Sequence, residues 1–261
     1  MTAAGSVLRH HEAFHSTWLD ADRALTVYVP PGYDPAGPPY PLLLLHDGQN
    51  LFDPARAFNG QTWHVAETAD RLIAARAIPP LLIAGVDHGG EARVREYTPT
   101  AGSEPGAGQV DEHAHFLVDE VVPFLAREYH VRTEFGGLGL GGSSLGGLAT
   151  LGVALAQPGH FGRLIVMSPS VWWDRRAILG ALRRTPLAPA PRIWVDAGLK
   201  EGARTVRNAR DLADLLAAPG QTPRKASVRL VIDPEGDHSE ASWARRFGDA
   251  LTYCYAVPGA S

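Results

Sequence analysis

Cysteine is nearly absent from this sequence, because Cys254 is the only one among 261 residues. A single cysteine excludes an intramolecular disulfide and any metal cluster held by several cysteine ligands. An excess of charge of one sign is also missing: 24 basic residues stand against 28 acidic ones, and the net charge is -4. This balance argues against nucleic acid as a partner.

Long apolar runs are missing as well. No stretch approaches the roughly 18 apolar residues that a membrane-spanning helix needs. The segment Met1–Phe14 lacks a basic region followed by an apolar stretch and a small-residue cleavage site, which a secretory signal would contain. These features predict a cytoplasmic protein without a membrane partner, and they leave its oligomeric state open.

The composition leaves ample material for a hydrophobic core. Apolar residues make up 45% of the chain and charged residues 20%, which predicts one domain over residues 1–261. Short apolar runs rich in β-branched residues alternate with longer amphipathic stretches, and this alternation indicates βαβ units. The expected fold class is α/β, with a mostly parallel central sheet and helices on both faces.

The strands and helices can be placed from the same pattern. Strands are expected at Leu25–Val29, Leu42–His46, Leu81–Val86, Gly137–Gly142, Leu164–Met167, Ile193–Val195 and Val228–Ile232. Helices are expected at Thr62–Arg76, Glu112–Glu128, Leu145–Ala156, Arg175–Arg184, Thr205–Ala217 and Ser239–Tyr255. Residues 30–41 and 98–109 are expected to be surface loops.

Residues Gly142–Gly146 (GSSLG) match the Gly-x-Ser-x-Gly pattern of a nucleophile elbow, with Ser144 at its centre. The motif lies where a predicted strand ends and a predicted helix begins. An elbow strains the backbone of its serine, so the neighbouring positions must be small, and Gly141 and Gly147 extend the run of glycines. The N-terminus of the following helix would also favour an oxyanion. The pattern predicts Ser144 as a catalytic nucleophile.

A dinucleotide-binding loop is the competing interpretation, since Gly137, Gly139 and Gly142 form a loose Gly-x-Gly-x-x-Gly pattern. That fingerprint belongs to the first βα turn and requires an acidic residue at the end of the next strand. Here the pattern lies past the middle of the chain, and the next predicted strand ends at Met167. The nucleophile elbow is therefore favoured.

A histidine base would lie in the loop after the last strand, because the order in α/β hydrolases is nucleophile, acid, histidine. Of eleven histidines, His238 alone follows the last predicted strand; the other interpretation is an exposed residue that caps the next helix. Two carboxylates compete as the acid. Asp196 ends the preceding strand and could instead hold the loop in place, whereas Glu201 could be a solvated neighbour of Lys200. Spacing alone leaves this choice open.

Seven sequence blocks, spread over nearly the whole chain, resemble the Putative esterase family of α/β hydrolases. This family includes enterochelin-type siderophore esterases, esterase D-like thioesterases, feruloyl esterase domains and mycolyltransferases. The blocks are Val27–Asp34 (VYVPPGYD), Leu42–Asp53 (LLLLHDGQNLFD), Arg95–Pro99 (REYTP), Gly141–Gly147 (GGSSLGG), Ser168–Trp173 (SPSVWW), Asp196–Gly202 (DAGLKEG) and Gly236–Arg246 (GDHSEASWARR).

The resemblance implies an assignment for the remaining site residues. The family carries its acid in a Gly-x-x-Asp/Glu segment, which corresponds to Gly198 and Glu201 and favours Glu201 over Asp196. The family's oxyanion hole corresponds to the backbone N–H groups of Gln49 and Leu145. No cofactor is implied.

The activity implied by the resemblance is that of a serine carboxylic ester hydrolase, which forms an acyl-enzyme on siderophore-like or other small esters. An acyltransferase would use the same triad and pass the acyl group to an alcohol or sugar. A thioesterase is the other alternative, although Cys254 lies far in sequence from the oxyanion loop, where esterase D-like enzymes typically carry a cysteine. A non-catalytic binding module is disfavoured by the presence of both Ser144 and His238.

Three further residues are candidates for substrate binding. Trp172 and Trp173 follow a predicted strand and could form a wall of the pocket, although either could pack in the core instead. Arg95 is expected to form a charged network with Glu96 near the pocket mouth, and Arg95 or Arg93 could receive an anionic substrate.

No metal site is predicted. His113 and His115 are two residues apart and cannot share a helix face, and the early histidines His10, His11 and His15 have no carboxylate partners in sequence.

Overall fold

A single eight-stranded sheet organises the computed structural model, which describes residues 5–218 and 227–256. The spatial order is β1-β2-β4-β3-β5-β6-β7-β8. The strands are β1 (Val7–Ser16), β2 (Ala21–Val29), β3 (Leu42–His46), β4 (Leu82–Val86), β5 (Leu138–Ser143), β6 (Arg163–Met167), β7 (Arg192–Gly198) and β8 (Ser227–Asp233). Strands β1 and β2 pair antiparallel, as do β2 and β4, and all other neighbours are parallel. The predicted α/β fold with a mostly parallel sheet is confirmed.

Eight α-helices accompany the sheet in the described residues. They are α1 (Val65–Ala74), α2 (Arg93–Tyr97), α3 (Val110–His115), α4 (Val122–Glu128), α5 (Leu145–Ala156), α6 (Ala177–Arg184), α7 (Ala203–Ala217) and α8 (Glu240–Tyr255). In the region that the structure describes, none of them is long and apolar enough to cross a membrane.

The sheet separates two hydrophobic cores because side chains alternate along each strand. In β3, Leu42 and Leu44 enter one core, where helices α3 to α7 contribute apolar side chains such as Leu148 and Leu212. Leu43 and Leu45 enter the other core, which contains residues of α1 and α8. All four leucines of β3 are fully buried, as expected for a parallel strand covered on both faces.

Most predicted boundaries hold within a few residues, and those of β3 and α5 agree at both ends. Three features were not predicted. Strand β1 lies at the sheet edge with mostly exposed residues, so it has little apolar periodicity. The short helix α2 was not predicted, and the long helix predicted at Glu112–Glu128 is interrupted by a π-helical segment at Phe116–Val121.

A pair of buried histidines lies beneath the end of β3. His46, the last residue of β3, has its Nδ1 atom 3.4 Å from Nε2 of His113 in α3, and both rings are buried. Burial lowers the pKa of His113 to about 3, and burial also holds the pKa of His46 well below its ordinary value. Both imidazoles are therefore neutral in the folded protein at neutral pH.

Substitution of His113 by glutamine should weaken the acid sensitivity of the fold. Below about pH 6.5 the unfolded chain binds protons at these histidines, whereas folded His113 remains neutral until about pH 3. The free energy of unfolding should therefore fall as the pH drops through this window, by up to about 1.4 kcal/mol per pH unit for each histidine. Urea unfolding between pH 7.5 and 4.5 should show a shallower decline for His113→Gln than for the wild type.

The matched control is His130→Gln, which replaces an exposed imidazole. We expect the change of slope to be confined to the buried position. Identical pH slopes for the wild type and His113→Gln would contradict the interpretation.

Candidate active site

Ser144 occupies the sharp turn between β5 and α5 at the carboxyl edge of the sheet. Its backbone angles, φ 55° and ψ -120°, are rare for an L-residue and indicate local strain. Two hydrogen bonds hold this conformation: the Ser144 N–H donates to Met167 O at 3.0 Å, and the Ser144 carbonyl accepts from Ser170 N at 2.9 Å. The end of β6 and the turn after it therefore fix the serine from one side.

Glycine is required at this turn because strand and helix approach closely. A Cβ atom on Gly142 would lie 2.8 Å from the carbonyl carbon of Gly146 in the first turn of α5. Real Cβ contacts of this length are essentially never seen, so a side chain at Gly142 would push α5 away from β5. The glycines of the elbow thus bring the helix N-terminus close to Ser144 Oγ.

His238 lies in the loop between β8 and α8 and faces the serine. Its Nε2 atom is 2.9 Å from Ser144 Oγ. The ring packs edge-on against Trp243, with ring centroids 4.9 Å apart and an interplanar angle of 82°. The next residue, Ser239, caps α8 by accepting a hydrogen bond from Ser242 N, which fixes the direction in which the chain leaves His238. The imidazole is 47% exposed, so its position is open to solvent.

Glu201 contacts the other nitrogen of the imidazole ring. Its Oε2 atom is 2.6 Å from His238 Nδ1, while Oε1 accepts hydrogen bonds from Ser168 Oγ and Gly198 N, both at 2.6 Å. The carboxylate is only 1% exposed. Burial alone would raise the pKa of Glu201, but the hydrogen bonds from His238, Ser168 and Gly198 outweigh it and leave the pKa below its ordinary value. Glu201 is therefore ionised at neutral pH.

Asp196, the alternative acid, faces away from His238. Its Oδ1 atom accepts from Arg246 Nη2 at 3.0 Å and from Ser168 N at 3.1 Å, and its Oδ2 atom accepts from Trp194 Nε1 at 2.8 Å. The side chain is fully buried, and burial raises the pKa of Asp196 against the opposing effect of Arg246. These contacts tie the end of β7 to α8.

Ser168 and Arg246 connect the two carboxylates, and neither residue is predicted from the sequence to have a role at the site. Ser168 Oγ donates to Glu201 and accepts from Trp243 Nε1 and Arg246 Nη2, both at 3.0 Å. Both residues lie inside sequence blocks that resemble the family, but nothing in their spacing indicates a hydrogen-bond network. The network holds Glu201 in one position behind His238.

The residues expected to supply oxyanion donors follow β3 and β5. Gln49 lies in a 3₁₀ turn at Gly48–Asn50 and borders the same cavity as Ser144. A Cβ atom on Gly48 would be 2.6 Å from Gly85 C and 2.7 Å from Val86 N, so this turn is packed directly on the end of β4. The Leu145 N–H belongs to the first turn of α5, where a helix offers no internal acceptor.

The cavity beside Ser144 has a volume of about 280 Å³, and most of the residues that line it are polar or charged. Arg93 and Asp47 pair across it through Nε to Oδ1 and Nη2 to Oδ2, both at 2.7 Å. Burial opposes the charge of Arg93, but these hydrogen bonds outweigh it and raise the pKa of Arg93. The lining residues are Asp47, Gln49, Asn50, Phe58, His88, Arg93, Ser143, Ser144, His238, Glu240 and Trp243.

The candidate substrate-binding residues lie elsewhere. Trp172, 45% exposed, and the buried Trp173 line a separate cavity of about 440 Å³, and Trp173 Nε1 donates to Thr100 O. Arg95 is exposed on α2 and does not line the cavity beside Ser144. The direct ion-pair partner of the buried Glu96 is Arg23, while Arg95 contributes a weaker attraction that opposes the rise in the pKa of Glu96 caused by burial. Of the two arginines considered, Arg93 is the one at the cavity.

Comparison with known proteins places this geometry in a family. The model of the Putative esterase family matches residues 16–254. The chain belongs to this family. Because it belongs to this family, the protein is a carboxylic ester hydrolase. Its sheet order and helices are those of the α/β-hydrolase fold.

Several relatives resemble this esterase over much of its length. The uncharacterized protein YbbA of Bacillus subtilis is 24% identical over 252 residues, which cover 90% of this chain and 93% of YbbA. The ferri-bacillibactin esterase BesA of Bacillus subtilis is 29% identical over 165 residues, 56% of this chain and 52% of BesA. The crystal structure of the enterobactin esterase FES from Shigella flexneri superposes with a TM-score of 0.75 at 21% identity, over 94% of this chain and 58% of FES.

Replacement of Gly48 by alanine tests the position of the Gln49 N–H in this esterase. The added Cβ would displace the turn from β4, and loss of one oxyanion donor typically lowers turnover about 100-fold or more. We expect kcat for a 4-nitrophenyl ester to fall by about this factor, with a smaller change in KM. Gly180→Ala, in α6, is the control, since its Cβ would meet only the flexible end of Arg184. Near wild-type kcat in a folded Gly48→Ala protein, checked by circular dichroism, would contradict the assignment.

Proposed function

We propose that the chain hydrolyses small carboxylic esters through an acyl-enzyme, with Ser144 as nucleophile, His238 as general base and Glu201 as the acid that orients it. One observation carries this proposal. Ser144 Oγ, the His238 ring and the Glu201 carboxylate form a continuous line of contacts of 2.9 Å and 2.6 Å. A strained serine, an imidazole and a buried carboxylate in this order are the arrangement of an activated serine nucleophile.

The proposed chemistry proceeds in two halves. Ser144 Oγ attacks the ester carbonyl carbon as His238 Nε2 takes the hydroxyl proton, and the Gln49 and Leu145 N–H groups stabilise the resulting oxyanion. When the carbon–oxygen bond of the ester breaks, the imidazolium returns this proton to the leaving alkoxide. Water, deprotonated by His238, then attacks the acyl-enzyme and releases the carboxylic acid and free Ser144. The ionised Glu201 stabilises the imidazolium in both halves.

Siderophore-like esters are one proposed substrate class among small esters. Among the relatives, BesA is a ferri-bacillibactin esterase and FES is an enterobactin esterase. The cavity of about 280 Å³ is open, and His238 is half exposed. A bulky substrate therefore needs to insert only the part around its scissile ester.

Acyl transfer is the second candidate, and the exposure of His238 favours it. An alcohol can approach the imidazole from solvent as readily as water does, so it could take the acyl group in the second half of the reaction. Product analysis with a competing alcohol separates the two activities. Hydrolysis predicts free acid as the main product, whereas a transferase yields mainly the new ester.

Ser144→Ala should abolish ester hydrolysis and labelling by a fluorophosphonate, while the folded structure persists because the elbow accommodates a small side chain. Ser143→Ala is the matched control and should still be labelled, since Nε2 of His238 is paired with Ser144 Oγ and, in the part of the chain that the structure describes, Ser143 has no hydrogen bond to His238. Rates with 4-nitrophenyl butyrate and gel fluorescence after labelling report the two results. Turnover by Ser144→Ala above about a hundredth of the wild-type rate would refute Ser144 as the nucleophile.

Glu201→Gln and Asp196→Asn should affect different properties. Loss of the Glu201 charge removes the support of the imidazolium and should lower kcat about 100-fold or more. Asp196→Asn removes the negative charge closest to the buried Arg246 and should mainly reduce the free energy of unfolding, by about 3–5 kcal/mol. Steady-state kinetics and urea unfolding of both variants test this. A larger loss of kcat in Asp196→Asn than in Glu201→Gln, at equal folded fraction, would reverse the assignment of the acid.

A further inference from the structure

An exposed aromatic ring stands at the mouth of the cavity that contains Ser144. Phe58 is 65% exposed, although a phenyl group gains nothing from contact with water. Its loop is fixed by Asn50, whose Oδ1 atom accepts from Phe58 N at 2.9 Å. The ring is therefore held beside the cavity by an ordered contact rather than by burial in a core.

The same asparagine also holds a carboxylate. Asn50 Nδ2 donates to Glu240 Oε1 at 3.1 Å, so one amide side chain links the backbone of Phe58 to the carboxylate of Glu240. Glu240 lies two residues after His238 in the first turn of α8 and lines the cavity together with Phe58. Among the described residues, Asn50 is the only other residue that donates a hydrogen bond to this carboxylate, and it does so to Oε1 rather than Oε2.

When ionised, Glu240 carries the one unbalanced charge of the cavity lining, and burial together with the nearby Asp47 raises the pKa of this carboxyl. Asp47 and Arg93 neutralise each other through two hydrogen bonds of 2.7 Å. The other titratable lining groups are His88 and His238, and burial lowers the pKa of His88, which favours its neutral form. With neutral histidines the lining carries one net negative charge, which repels an anionic group and attracts a cationic one.

A carboxylate beside an aromatic face is the chemistry that recognises an ammonium group, through charge attraction and a cation–π contact. We propose that Glu240 and Phe58 determine specificity by selecting esters that carry an ammonium group close to the scissile bond. The inference rests on the proposed function, since it takes Ser144 as the group that attacks the ester.

A purely structural role for Glu240 makes a different prediction. Acidic residues in the first turn of a helix stabilise it, and Glu240 also orients Asn50. Glu240→Gln keeps an oxygen acceptor for Asn50 and removes only the charge. A structural role would change the rates for charged and neutral esters by the same factor, whereas a specificity role changes their ratio.

The test compares two esters of equal shape that differ by one charge, butyrylcholine and 3,3-dimethylbutyl butyrate. We expect the wild type to favour butyrylcholine about tenfold in kcat/KM, mainly through KM, and Glu240→Gln to bring this ratio close to 1. Phe58→Leu should reduce the ratio by a smaller factor, because the contact with the ring is lost and the charge remains. Glu235→Gln, which changes an exposed glutamate outside the cavity lining, is the matched control and should keep the wild-type ratio.

Butyrylcholine carries its ammonium group in the alcohol, so a second measurement tests for substrates that carry this group in the acyl part. Tetramethylammonium should inhibit hydrolysis of 4-nitrophenyl butyrate competitively, with an inhibition constant about tenfold higher in Glu240→Gln. If tetramethylammonium inhibits in this way but the wild type does not prefer butyrylcholine, the result supports a binding site for ammonium at Glu240 and Phe58. The ammonium group of the substrate would then belong to its acyl group rather than to its alcohol. Hydrolysis of the neutral esters without either effect overturns the inference alone, and absence of hydrolysis of all three esters overturns the proposed function with it.

Discussion

A buried arginine is the constraint on which the organisation of the site depends. Arg246 is 5% exposed, its Nη2 atom is 3.0 Å from Asp196 Oδ1 and 4.0 Å from Glu201 Oε1, and its Nη1 atom is 3.4 Å from Asp233 Oδ2. Two carboxylates as buried as Asp196 and Glu201 would repel each other strongly without a cation between them. Since Arg246 belongs to α8, the same charge attaches the helix after His238 to the end of β7. Charge compensation and the placement of the imidazole thus depend on one side chain.

The environments along the line of contacts from Glu201 to Ser144 differ sharply. Glu201 is enclosed and its hydrogen bonds are fixed, whereas His238 is nearly half exposed. In the proposed mechanism, the fixed dipoles around Glu201 mean that little reorganisation is needed when the imidazole of His238 gains a proton. The open end leaves room for the ester, for water and for an alcohol. Glu201 therefore provides rigid support, while His238 is the residue that solvent and substrate can reach.

The sequence predicts the parts of this molecule that depend on local pattern. The predicted bounds of strand β3 and helix α5 agree at both ends with the structure, because a continuous apolar run and a glycine-rich turn are strong local signals of where an element begins and ends. Strand β1 was missed because an edge strand exposed to solvent needs no apolar alternation. Spacing could not decide between Asp196, near the end of β7, and Glu201, three residues past that end, because only the three-dimensional fold sets the direction in which each carboxylate points. The same limit applies to Arg93 and Arg95, two residues apart on a short helix, of which only Arg93 borders the cavity.

The two cores of the sheet meet at the line of contacts. Ser144 precedes α5 and Glu201 precedes α7, two helices that pack in one core, whereas His238 precedes α8, which packs in the other. Local detachment of α8 would remove the imidazole while leaving the serine elbow and its core intact. Loss of reactivity at Ser144 should therefore precede loss of most helical structure during gradual unfolding, so the site reports the docking of α8 on the sheet.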